Sequence, residues 1–248
     1  MIRVPGIRAV IELLRYNSAQ VKEIWIAKDR TVSRLEEILN ICDREMVPVH
    51  YKNYKEISLL LPGISHQGVV AIVPGFRYYS LKELISLIKE IEDKKLILAL
   101  DHITDEGNFA SIIRTSAFFG VHGIIIPKNR SVSVSSQVIK RSSGAYLYVP
   151  IIRVVNLAQA LEKLNKEGFW IIGTSHKGNI SLYQFDWDRD LVLVLGNEYK
   201  GISYAIEKTC DEIVNIPLFG AIDALNVGVA AGVFLSEITR TRKLMYKN

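Results

Sequence analysis

Arg114 is the residue whose type and position most need a chemical explanation. Ala110, Ile113, Arg114 and Ala117 fall at i, i+3, i+4 and i+7, the spacing of one core-facing helical stripe. A guanidinium cannot shed its proton, so on a buried stripe it demands an anion. That anion is either a carboxylate of the chain or one that arrives with a ligand. A second segment runs from Leu191 through Gly196-Asn197-Glu198-Tyr199-Lys200-Gly201-Ile202-Ser203. Its G-x-x-x-x-G spacing imitates a phosphate loop, but Ile202 stands where the phosphate-binding lysine must be, and Glu198 repels a triphosphate. Such a loop suits a cationic or uncharged ligand better, and a plain strand-to-helix turn is the alternative. In the third segment a strand ends at Ile216-Pro217 and a helix begins near Asn226. Gly228, Ala231, Gly232 and Leu235 then share one helical face. Two glycines on one stripe are costly, so something must pack closely there. Asn226 alone also reads as an ordinary helix N-cap.

These residues need a scaffold. Apolar runs at Leu96–Leu100, Gly123–Pro127, Tyr148–Val154, Trp170–Gly173, Leu191–Leu195 and Glu212–Ile216 read as strands, with helical patterns between most of them. Strands apolar on both faces indicate a parallel sheet covered on both sides. Open sheets of this kind bind ligands at the carboxyl ends of their strands. A smaller alternation precedes it. Its helices are Gly6–Tyr16, Leu35–Glu45 (announced by the capping box Ser33-x-x-Glu36) and Tyr54–Leu61. Its strands are Glu23–Ala27, Val47–Tyr51 and Gly68–Val73. A helix with the capping box Ser80-x-x-Glu83 joins the two parts, giving a front domain 1–75, a linker 76–94 and a main domain 95–248.

Of 248 residues, 49% are hydrophobic and 23% charged, which is globular composition and not that of a disordered chain. The net charge of +5 leans towards a polyanionic partner. Cys42 and Cys210 are far apart and in no metal-ligand spacing, which fits a reducing cytosol and no bound metal. The start lacks a signal peptide's apolar stretch, and no run reaches a membrane span's length, so the expected location is cytoplasmic. No G-x-G-x-x-G follows a strand, which argues against a dinucleotide oxidoreductase.

The segments NFASIIRTSAFFGVHGIIIP, LVLGNEYKGIS and IPLFGAIDALNVGVAAGVFLSEITR closely resemble motifs 1, 2 and 3 of the SpoU/TrmH RNA 2′-O-ribose methyltransferases, in that family's order and spacing. The likeness covers roughly residues 95–242. The front third resembles the family's substrate-binding domain, similar to ribosomal protein L30e, with His66-Gln67-Gly68 near its end as in the rRNA guanosine branch. The resemblance implies an α/β chain: an L30e-like α/β domain, then a parallel-sheet methyltransferase domain tied in a trefoil knot. Periodicity does not indicate such threading. It implies S-adenosylmethionine as cofactor, held around Thr174, Leu195, Gly196, Gly201, Ile216, Pro217 and Leu225. It also implies a homodimer through the knotted domains, with Gly228 and Gly232 serving the knot or the dimer.

By the same resemblance, Arg114, Asn108, Glu198 and Asn226 form the catalytic set. Arginine is implausible as a free base. Arg114 is therefore read as a clamp on the target's phosphate that lowers the hydroxyl's pKa, with the proton passing to a phosphate oxygen or water. Asn108 and Asn226 orient ribose and cofactor, and Glu198 positions Arg114 or an amide; alternatively Asn108 is a helix cap and Glu198 a salt-bridge partner. Ala224 and Gly228 stand where the family often has serines, which leaves proton transfer open. Arg8, Arg130, Lys140 and Arg141 are candidate RNA-phosphate contacts, whereas Arg240, Arg242 and Lys243 read as a solvated helix end. The implied substrate is a guanosine of large-subunit rRNA. A tRNA substrate, an antibiotic-resistance methylase and a non-catalytic RNA-binding module are the alternatives.

Overall fold

The computed structural model describes residues 1–29, 31–197, 200–221 and 224–245, with residues 243–245 given by their backbone alone. The chain forms two compact units, residues 1–77 with 133–148, and residues 78–132 with 149–248.

The first unit holds β1 (Ile2–Pro5), α1 (Ile7–Asn17), β2 (Glu23–Ala27), α2 (Leu35–Arg44), β3 (Val49–Lys52), α3 (Tyr54–Leu60) and β4 (Val69–Val73). Its sheet runs in the order β1-β4-β2-β3. β1 was not foreseen: four residues are too few to show a period. It is an edge strand antiparallel to β4, where Pro5 costs no ladder bond on its open side. The expected Ser33/Glu36 capping box does not form. Instead Arg34 precedes α2 at φ 55° and grips Glu37 through two hydrogen bonds of 2.7 and 2.9 Å. α3 carries a capping box that was missed, between Asn53 and Glu56.

The second unit begins with α4 (Leu81–Lys89), whose Ser80/Glu83 capping box is present. The fully buried β5 (Leu96–Leu100) follows, then α5 (Glu106–Phe119) and β6 (Gly123–Pro127). From there the chain leaves for the first unit. A division in chain order assigns residues 133–148 to the main domain, but here α6 (Ser136–Ser142) packs on β1. Lys140 Nζ donates to Gln67 at 2.6 Å and the Tyr148 hydroxyl to Glu12 at 2.6 Å. The expected strand at 148–154 is accordingly shorter: β7 spans Ile151–Val154. Then come α7 (Leu157–Lys166), β8 (Trp170–Thr174), β9 (Ile180–Ser181), β10 (Leu191–Leu195), α8 (Tyr204–Glu207), β11 (Glu212–Asn215) and α9 (Val227–Met245).

These strands make a parallel sheet in the order β7-β6-β5-β10-β8-β11-β9. On one face Ile97, Ala99, Val192 and Val194 pack with Leu157, Leu161 and Leu164 of α7, and with Leu84 of α4. Alternation sends Leu98 and Leu193 to the opposite face, and both are fully buried there too. Burial on both sides explains the uninterrupted apolar strands, LILAL and LVLVL. Among the described residues, no helix is long and apolar enough to cross a membrane.

Candidate functional site

Register brings the second and third sequence segments to one edge of the sheet. Leu100 pairs with Leu195, Gly173 with Val194, and Thr174 with Val214. The carboxyl ends of β5, β10, β8 and β11 therefore emerge side by side, carrying Leu195-Gly196, Thr174 and Ile216-Pro217 to the edge where ligands bind in such sheets. Thr174 Oγ1 donates to the Val194 carbonyl at 2.9 Å. Asn197 and Gly201 exchange backbone hydrogen bonds of 3.0 and 2.7 Å, which pinches the loop shut at its neck. At Gly196 a Cβ would stand 2.1 Å from the Gly201 carbonyl carbon, so the pinch requires glycine. Leu225 lies half exposed beside Asn226.

Asp105 caps α5 by accepting from the Asn108 amide at 2.7 Å, so Asn108 is not the cap. Asn226 is the N-cap of α9, accepting from the Gly228 and Val229 amides at 2.9 and 3.3 Å. Its amide nitrogen also donates to Asn108 Oδ1 at 2.8 Å. The two asparagines, 118 positions apart, thus meet where the two helices begin. Gly228 abuts Ser111, and Gly232 abuts Thr115. What the small-residue face admits is α5 of the same chain.

Arg114 requires a correction. The buried face of α5 is Phe109, Ala110, Ile112, Ile113 and Ser116, and Arg114 is exposed. It lies one position outside the border of the core, next to the buried Ile113, so its charge is not a buried one in need of compensation. It makes no hydrogen bond or ion pair among the described residues. Glu198 lies outside the described residues.

One constellation escaped the sequence reading. Asp101, only 2% exposed, directly follows β5; its Oδ2 accepts from the Ser203 amide at 2.7 Å, and its Oδ1 stands 2.5 Å from His102 Nδ1. The Asn197 side-chain amide donates to the His102 carbonyl at 3.1 Å. A carboxylate directly after an apolar strand was the available signal.

A model of the SpoU rRNA Methylase family matches residues 95–236, and one described as RNA 2′-O ribose methyltransferase substrate binding matches residues 3–79. The chain belongs to the SpoU rRNA methylase family. It is 36% identical over 240 residues to the 23S rRNA (guanosine-2′-O-)-methyltransferase RlmB of Pseudomonas aeruginosa, covering 97% of this chain and 96% of that one. With RlmB of Escherichia coli K12 it shares 35% over 237 residues, 96% and 97% of the two chains. Its fold is similar to the crystal structure of the SpoU methyltransferase AviRb from Streptomyces viridochromogenes in complex with AdoMet. That match has a TM-score of 0.81 at 24% identity over 98% of this chain and 90% of that one.

The basic residues of this SpoU chain divide between its units. Arg8 and Arg141 are exposed on the first, and Arg130 is exposed on the second. Lys140 is half-buried against Gly6 and Gln67, and burial lowers its pKa. Arg242 is not a solvated helix end: its guanidinium donates to the carbonyls of Lys94, Lys95, Trp187 and Arg189. Arg240 pairs with Glu237, and the Lys243 side chain lies outside the described residues.

Proposed function

We propose that the protein transfers a methyl group from S-adenosylmethionine to the ribose 2′-hydroxyl of a guanosine in large-subunit ribosomal RNA. The observation that carries this reading is the end-to-end likeness to relatives named for that reaction on 23S rRNA, across both the methylase and the substrate-binding stretches.

The carboxyl edge fits such a cofactor. The Gly196–Gly201 neck presents bare backbone, and Leu218, Phe219 and Leu225 are exposed apolar side chains on the neighbouring stretch. Asn215 Oδ1 is buried with no partner among the described residues, an acceptor available to a ligand's N–H. When bound, S-adenosylmethionine supplies a methyl group activated by sulfonium charge. The backbone around Thr174, Leu195, Gly196, Gly201, Ile216, Pro217 and Leu225 would hold it, and much of the acceleration would come from orienting the two reactants.

The linked Asn108 and Asn226 orient the ribose, with Glu198 supporting them. Arg114, whose guanidinium fork is exposed, clamps the target's phosphate. Arg8, Arg130, Lys140 and Arg141 contribute phosphate contacts. In this reading the C-terminal part is knotted, two copies pair through it, and the protein works in the cytoplasm. Mapping 2′-O-methylation across the RNA of cells lacking the protein tests it. One guanosine of the large-subunit rRNA should lose its methyl group and regain it with purified protein; loss from tRNA instead would reassign the substrate.

A further inference from the structure

We propose that Tyr16 and Tyr148 form a stacking site for one unpaired base of the RNA, with Arg8 and Arg141 taking the phosphates on either side; this rests on the function proposed above. The two rings are exposed, Tyr16 by 53% and Tyr148 by 52%, and meet edge to face with centroids 5.4 Å apart at 79°. Such a pair is favourable in itself, yet half of each ring is left in water, open to a third flat partner. Every base has a π face, so a site of this kind accepts a single-stranded nucleotide whatever its sequence.

The rings are set before any ligand arrives. Glu12 and Tyr16 lie one turn apart on α1, and the Tyr148 hydroxyl donates to Glu12 Oε2 at 2.6 Å. The turn before Tyr148 brings it there. Gly144 holds φ 90°, and a Cβ on it would stand 2.7 Å from the Glu12 Cβ, so this turn lies directly on α1. A platform ordered in advance loses little side-chain freedom on binding. All of these residues belong to the first unit.

Charge selects the partner. Arg8, Glu12 and Arg15 follow at i, i+4 and i+7 along α1. Arg15 is taken up by Glu37 at 2.7 Å and by Glu12 at 3.9 Å, so Glu12 is itself engaged by this arginine and by the tyrosine hydroxyl. Arg8 is exposed one turn before Glu12, and Arg141 is exposed on α6, three residues before Gly144. Neither forms an ion pair among the described residues. Two uncommitted guanidiniums around a fixed aromatic pair match a polymer that alternates flat bases with anions. A duplex, whose bases are already stacked inside, can use the arginines but not the rings.

Fluorescence anisotropy of the full chain with a labelled single strand of about ten nucleotides, and with a hairpin duplex containing that strand, separates stacking from charge. Tyr16→Leu and Tyr148→Leu should each weaken single-strand binding at least about five-fold. Duplex affinity and the salt slope should not move, because the slope counts phosphate contacts and not stacking. Tyr16→Phe keeps the ring face and should restore affinity to within about two-fold of wild type. Tyr148→Phe loses the bond to Glu12 but keeps the ring, so it should bind more tightly than Tyr148→Leu. The same order should appear in KM for unmodified large-subunit rRNA. Undiminished single-strand binding by Tyr16→Leu, equal losses on the duplex, or phenylalanine variants as weak as the leucine ones would overturn the stacking site while leaving the methyltransferase reading standing. A Tyr16→Leu variant that dissociates a dimer in sedimentation, with RNA affinity intact, would give the patch to a second copy instead. A wild type that neither binds nor methylates rRNA would sink that reading and the stacking site with it.

Discussion

Arg114 projects from α5 into solvent, and this separates its contribution to activity from its contribution to stability. Arg114→Lys keeps the charge but loses the two-pronged fork. Methylation should fall at least about ten-fold while the melting temperature stays within about a degree, because exposed substitutions rarely exceed about 0.5 kcal/mol. A wild-type rate would dismiss the clamp. Its exposure also marks the limit of periodicity. The spacing i, i+3, i+4 picks out a stripe about 100° wide, but only the neighbouring helix and sheet decide which edge of it is covered. Asn226 was legible as a cap, and it is one. Its bond to Asn108 was not legible, since no local pattern links residues 118 apart. Asp101 and His102 stand at the edge of the first motif, but the bond from the Ser203 amide to Asp101 was not legible, since those residues lie 102 positions apart.

At the scale of elements, the strands were the most legible part, because fully buried parallel strands such as Leu191–Leu195 carry no polar interruption. Capping boxes were mixed evidence: Ser80/Glu83 forms, whereas Ser33/Glu36 yields to the Arg34–Glu37 pair. The loop after β10 makes a sharp prediction. Gly196→Ala would push its Cβ into the Gly201 backbone, where nothing flexible can give way. S-adenosylmethionine affinity should drop at least about ten-fold by calorimetry, with far-ultraviolet circular dichroism unchanged; undiminished binding would remove this loop from the cofactor site.

A second prediction concerns the join of β5 and β6. The Leu96 amide donates to His122 Nδ1 at 2.9 Å, and burial holds the ring below its ordinary pKa of 6.5, with the Arg242 and Lys95 charges acting in the same direction. A depressed histidine stabilises the fold fully above its unfolded pKa, and that stability is lost as pH falls through 6.5 towards the folded value. The urea midpoint should therefore drop between pH 7 and about 5.5, and drop less in His122→Gln. Equal drops would deny His122 this role.

Over the whole molecule, the parallel-sheet architecture and the smaller mixed unit were readable from apolar runs and their spacing. The placement of residues 133–148 was not. A seven-residue helix carries no signal of which body it joins, and Lys140–Gln67 and Tyr148–Glu12 are contacts between distant stretches of chain. This bears on RNA binding by a chain of net charge +5. Arg8→Ala and Arg141→Ala remove exposed charges, so each should weaken RNA binding and lower the salt slope by about 0.7. Lys140→Ala should weaken RNA binding too and, unlike them, also lower the melting temperature, since it breaks the bond to Gln67. An unchanged slope in the two arginine variants would move the RNA path elsewhere.

The central claim is ribose methylation, and alkali tests it directly, because a methylated 2′-oxygen blocks cleavage of the adjacent phosphodiester. Purified protein, S-adenosylmethionine labelled in its methyl group and unmodified large-subunit rRNA should yield label in an alkali-resistant dinucleotide that contains guanosine. Label recovered only in alkali-labile mononucleotides would mean base methylation, and no label in rRNA at all would mean a different substrate or no transfer. Either result would contradict the account.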